Sequence, residues 1–135
     1  MDKEFKSEAR KDLIIQYSVK HKQNLDCGGA YIKLLPGGSK FDAAKFKGED
    51  PYCVMFGPDI CGSFNKKTHA ILRYDKKDKN LLIKKDVLTE TDDLSHLYTL
   101  IAKSDNTLKV LIDNKSVRKG NWKMASQYYF CRRLT

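Results

Sequence analysis

His96-Leu97-Tyr98-Thr99-Leu100-Ile101-Ala102, then Lys103-Ser104-Asp105-Asn106-Thr107, then Leu108-Lys109-Val110-Leu111-Ile112 is the stretch that decides the fold class. Two β-branched and aromatic runs flank a short polar cluster, the pattern of a hairpin. In the second run Leu108, Val110 and Ile112 fall on one face and Lys109 and Leu111 on the other, as in a strand buried on one side. Leu13 to His21 alternates in the same way, with Leu13, Ile15, Tyr17 and Val19 set against Gln16, Ser18 and Lys20. Further strands are expected over Ala30 to Leu35, stopped by Pro36-Gly37-Gly38, and over Tyr52 to Phe56, stopped by Gly57-Pro58-Asp59. Thr68 to Tyr74 and Leu81 to Lys85 flank Asp75-Lys76-Lys77-Asp78-Lys79-Asn80, a second hairpin. Seven such runs in about a hundred residues predict an all-β antiparallel meander, a sandwich or a barrel. Asn121 to Phe130 reads equally as helix or strand.

Composition bounds the function. The 135 residues allow one domain or a piece of one, and 41% hydrophobic with 32% charged residues is a globular balance. Lys and Arg outnumber Asp and Glu by 26 to 17, giving +9. Lysine pairs fall in turns (Lys66-Lys67, Lys76-Lys77, Lys84-Lys85) and not beside stacked aromatics on one face, so they read as solvated surface and no nucleic-acid site is expected. The longest apolar runs, such as Leu81-Leu82-Ile83, fall far short of the roughly 20 residues of a membrane span. Met1 to Lys11 carries no apolar stretch of a secretory signal, and Cys131-Arg132-Arg133-Leu134-Thr135 is no retrieval signal. Cys27, Cys53, Cys61 and Cys131 contain no Cys-x-x-Cys pair, which disfavours zinc. His21, His69 and His96 lack nucleophile and base spacing, so an enzyme is not expected; hydrogen-bonded structural roles suit them better. Asn114-Lys115-Ser116 is an N-glycosylation sequon in a turn.

One constellation stands out. Cys27-Gly28-Gly29 and Cys61-Gly62 each set a cysteine beside glycine at a strand edge, where chains approach closely. A Cys27–Cys61 bridge would close a loop of about 35 residues and stabilise the fold by roughly 3–4 kcal/mol, but the residues alone leave the pairing open. Tyr31 and Lys33, two apart on a strand, share a face, while Tyr52 and Asp59 flank the third strand and its turn. An aromatic platform, amine donors and a carboxylate acceptor are what a carbohydrate requires. Against that stands the ordinary role of such residues in packing and solvation, and Met55 and Phe56 read first as core.

Lys20-His21-Lys22-Gln23-Asn24-Leu25-Asp26-Cys27-Gly28-Gly29 and Val54-Met55-Phe56-Gly57-Pro58-Asp59-Ile60-Cys61-Gly62 resemble the two signature segments of the calreticulin/calnexin family, with the calreticulin side the nearer. His96 to Ile101, Asp105-Asn106-Thr107 and Ile112-Asp113-Asn114 add to the resemblance, which runs from about Leu13 to Trp122. It implies an incomplete concanavalin/legume-lectin-like antiparallel β-sandwich, a jelly roll. Residues 1–122 would be a partial lectin domain and 123–135 a divergent tail. The implied activity is that of a calcium-dependent lectin chaperone. It would bind monoglucosylated high-mannose glycans on unfolded glycoproteins in the endoplasmic reticulum lumen. Tyr31, Lys33, Tyr52 and Asp59 match the family's glycan contacts, Met55 a nearby contributor, and Cys27 and Cys61 its disulfide. The matching calcium ligands are expected outside this chain, which carries no metal ligands by this reading. Lys22 stands where the signature usually has Glu and Ala30 where it has Gly. Cys53 is an extra cysteine that opens an alternative bridge to Cys27. On this reading the positive charge is that of a lectin piece without the family's acidic tail. The rival reading is a basic β-sandwich module that binds protein or nucleic acid without lectin activity.

Overall fold

The computed structural model describes residues 5–6, 11–36, 42, 44–74, 79–121 and 133–134. Its strands are β1 (Phe5–Lys6), β2 (Leu13–Lys20), β3 (Cys27–Gly29), β4 (Ile32–Leu34), β5 (Val54–Cys61), β6 (Asn65–Tyr74), β7 (Lys79–Leu82), β8 (Ser95–Ala102), β9 (Thr107–Ile112), β10 (Lys115–Asn121) and β11 (Arg133–Leu134). The described residues contain no helix. One sheet runs β10-β9-β8-β2; the other runs β3-β5-β6-β7, with β4 also paired to β5; β1 and β11 pair separately. All pairings are antiparallel.

Alternation explains the layering. From β2, β8 and β9, Ile15, Tyr98, Leu100, Leu108, Val110 and Ile112 join Leu34, Val54, Phe56, Ala70 and Leu72 of the other sheet in one buried cluster. The two sheets are therefore the layers of a β-sandwich. β8, β9 and β10 form a meander, but β2 lies beside β8, far away in sequence. The β9–β10 turn uses Asp113 and Asn114 at φ 51° and 62°, the left-handed pair that a tight hairpin needs. Asn114 of the sequon sits exposed in that turn.

The expected stop at Gly57-Pro58-Asp59 does not occur: β5 runs through it to Cys61. The reason is a substitution of donors. Ala30 N–H donates to Pro58 O at 2.9 Å, but Pro58 has no N–H to return. The Tyr17 hydroxyl from the opposite sheet donates to Ala30 O instead, at 2.8 Å, and lies 2.9 Å from Phe56 O. Burial, with Tyr98 beside it, raises the Tyr17 phenol, so it stays protonated. Gly57 adopts φ 134°, and a Cβ there would collide with the Tyr17 hydroxyl. No other residue fits that position.

Four strands went unforeseen, among them the two-residue β1 and β11. β3 is Cys-Gly-Gly, which carries little strand propensity, and β10 is polar on both faces with almost every residue exposed. β7 begins at Lys79, earlier than Leu81. The helix-or-strand segment Asn121 to Phe130 lies outside the described residues, apart from Asn121 at the end of β10. Tyr17→Phe keeps the ring and strips Ala30 O of its donor. Equilibrium denaturation should show a loss of about 1–3 kcal/mol, the cost of a part-buried carbonyl left without its donor. A change below about 0.5 kcal/mol would remove this role for the hydroxyl.

Candidate functional site

Strand pairing decides which side chains share a face. Lys33 pairs with Met55, Met55 with Ile71, and Ile71 with Leu82; Gly57 pairs with His69, and Asp59 with Gly29 and Lys67. Val54, Phe56, Ala70 and Leu72, on the alternate positions, enter the core. Lys33, Met55, Asp59 and His69 therefore occupy the outer face of the β3–β7 sheet.

At one end of this face, Asp59 is held from two sides. Asn65 Nδ2 donates to its Oδ2 at 2.8 Å, and His69 Nε2 lies 3.0 Å from the same oxygen. Among the described residues both bonds go to Oδ2, which leaves Oδ1 as the further acceptor of this carboxylate. The His69 ring meets Tyr31 edge-on, with centroids 6.2 Å apart. Tyr31 is 37% exposed and lies across Gly29 so closely that a Cβ at Gly29 would strike the ring. Opposite His69, Gly57 has no side chain, which leaves the imidazole room to lean toward Asp59.

At the other end, the Lys33 ammonium donates to Gly48 O at 2.9 Å and sits 5.1 Å from the Tyr52 ring centroid. Phe46 brings a second ring to 5.7 Å from the same nitrogen. Asn80 Nδ2 reaches the Tyr52 hydroxyl at 3.4 Å. Burial raises the Tyr52 phenol, Arg73 pulls it down and Tyr31 adds to the rise, so it remains a neutral donor and acceptor at physiological pH. Met55, half-buried, lies directly across from Lys33 at this end. The five residues named from the sequence thus form one stripe, with Asp59 and Lys33 as its opposite charges. Sequence reasoning missed His69, Asn65 and Phe46 as neighbours. The first two follow from the tight β5–β6 register, whereas Phe46 sits in a loop with no periodic signal.

Cys27 and Cys61 are directly opposed on β3 and β5 and joined by a disulfide at the Asp59 end. That pairing corrects the alternative bridge from Cys53 to Cys27; Cys53, fully buried, is itself disulfide-bonded.

A two-layer antiparallel sandwich with rings, an amine and a carboxylate along one sheet face has the build of a legume-lectin-like domain. The calreticulin family model matches residues 1–129. Calreticulin of Chlamydomonas reinhardtii is 56% identical over 111 residues, 82% of this chain and 26% of that protein. Calreticulin of Rattus norvegicus is 51% identical over 109 residues, 81% of this chain and 25% of that protein. The solved T. cruzi calreticulin globular domain superposes with a TM-score of 0.78 at 42% identity, over 89% of this chain and 43% of that one. The chain belongs to the calreticulin family. It spans about a quarter of the length of the curated relatives it matches.

A second polar cluster sits outside the stripe, at β8. Glu90, Asp92 and His96 bring donor atoms within 4.8 Å of one another. The set suits calcium poorly, because that ion takes six to eight oxygens and His96 offers nitrogen already committed. His96 Nδ1 lies 2.7 Å from Asp113 Oδ2 and Nε2 lies 2.8 Å from Asp92 Oδ1. Both nitrogens face carboxylates, an arrangement that favours the protonated ring. Asp113, then Asp92, raises His96 against the opposing effect of burial. Asp92 is lowered by His96 and then by the Leu94 N–H, and Asp113 by His96 and then by the Leu97 N–H. A raised histidine gives its full stabilisation below the ordinary 6.5 and loses it as pH climbs through the raised value. The lowered carboxylates give theirs above the ordinary 3.8 and lose it as pH falls through their lowered values. The melting-temperature gap between wild type and His96→Gln should therefore be largest in mildly acidic buffer and narrow as the buffer turns alkaline. A gap independent of pH would contradict the clamp.

Proposed function

We propose that this chain is part of a lectin chaperone, binding monoglucosylated high-mannose glycans on unfolded glycoproteins in the endoplasmic reticulum lumen. The calreticulin family is a non-enzymatic one, and the reading extends its lectin role to these residues. The observation that carries it is the stripe itself: Tyr31 and Tyr52 as rings, Lys33 as donor and Asp59 Oδ1 as acceptor, all on one sheet face. Sugar rings present C–H faces that stack on aromatics and hydroxyls that need both partners. Met55, across from Lys33, adds an apolar surface at the donor end. The Cys27–Cys61 bridge accords with an oxidising compartment. Calcium belongs to the same reading as the family's cofactor, with ligands other than the cluster around His96. Residues 1–122 are assigned to the lectin domain and 123–135 to a divergent tail. No helix among the described residues is long and apolar enough to cross a membrane.

Calorimetry or a glycan array should show binding to a glucose-capped mannose arm and weaker binding to the same arm without glucose. Asp59→Ala removes a charge-assisted bond of about 1.5–3 kcal/mol and should weaken binding roughly 10- to 150-fold. His69→Ala, which frees the carboxylate to turn, should cost about two- to tenfold. Wild type and Asp59→Ala binding alike would overturn the assignment. Anion-polymer binding that falls steeply with salt, without sugar recognition, would favour the basic-module reading.

A further inference from the structure

Phe46 belongs to none of the strands, yet its ring reaches the Lys33 ammonium. The loop around it is tied locally on both sides. Asp42 Oδ1 accepts from Ala44 N–H at 3.0 Å and Asp42 O from Lys45 N–H at 3.0 Å; Asp50 Oδ2 accepts from Lys47 N–H at 2.8 Å. The loop meets β4 through Lys33, which donates to Gly48 O at 2.9 Å while Phe46 and Tyr52 stand 5.7 and 5.1 Å from its nitrogen. An ammonium on a flexible four-carbon stem is otherwise poorly placed for recognition. Here two ring faces and one carbonyl bracket it, which spends one of its three N–H bonds and leaves two to converge on a ligand.

We propose that Phe46 is a positioning residue for Lys33: its ring, paired with Tyr52, fixes the ammonium so that its two remaining donors meet a sugar hydroxyl. The proposal rests on the glycan reading above and adds to it a residue from a loop outside the sheet. The ring matters for its face and not its bulk. Phe46→Leu keeps apolar volume and loses the π-surface, whereas Phe46→Tyr keeps both.

The test is a double-mutant cycle on the whole chain, with calorimetry against a glucose-capped mannose oligosaccharide. Phe46→Leu should weaken binding roughly two- to fivefold, the scale of an exposed cation–π contact, and Phe46→Tyr should restore it. In a Lys33→Gln background, Phe46→Leu should have no further effect, which a merely structural role for the ring would not produce. In the free protein, Lys33 side-chain proton shifts should move in Phe46→Leu and return in Phe46→Tyr. Additive losses in the cycle would overturn the positioning role while leaving the glycan reading intact. Failure of wild type to bind any glycan would overturn the reading itself, and the role of Phe46 with it.

Discussion

One hydroxyl proton ties the two sheets together. Pro58 breaks the ladder of β5 by lacking an N–H, and Tyr17 on the opposite layer repairs it by donating to the carbonyl left bare on Ala30. A bond that would lie within a sheet is thereby converted into one between sheets. The neighbouring Gly57 yields the space this needs. Since Asp59 follows immediately and Phe56 precedes, the strand bearing the acidic end of the stripe is keyed to the other layer by the same contact. The aromatic neighbours reinforce it: Tyr17 lies 6.0 Å from Phe56 and 6.2 Å from Tyr98, ring centre to ring centre.

The two ends of the stripe are built differently. Asp59 is held by Asn65 and His69, both on β6, so its carboxylate inherits the rigidity of a paired hairpin. Lys33 starts on a three-residue strand and finds its partners in the loop before β5. The acceptor end is thus preorganised by sheet geometry and the donor end by a loop that must stay folded over it. A ligand spanning both ends meets one fixed and one adaptable anchor.

How much of this was legible follows from the reach of each signal. β2, β8 and β9 declare themselves because one face of each enters the core and alternation records it. β10 escapes because both its faces are wet; only its pairing with β9 makes it a strand. The continuation of β5 through Gly57-Pro58 escapes because a local rule sees the missing N–H and not the hydroxyl, 41 residues earlier in the chain, that replaces it. Among site residues, Tyr31 and Lys33 could be put on one face by their spacing, but the hold of His69 on Asp59 needed the register of β5 on β6. The pairing of Cys27 with Cys61 was open from the residues, came from family resemblance, and agrees with the structure.

That covalent link has a consequence for how the sheet face responds to its surroundings. β3 offers only cysteine and two glycines to hold its place against β5, and Gly29 is the bed on which Tyr31 rests. Cutting the sulfur bridge would loosen this bed while Lys33 and Tyr52, on the far side, kept their own ties. Loss of this bridge alone therefore blunts the acidic, ring-bearing end, whereas a reducing milieu also reaches the basic end through the bonded Cys53 beside Tyr52.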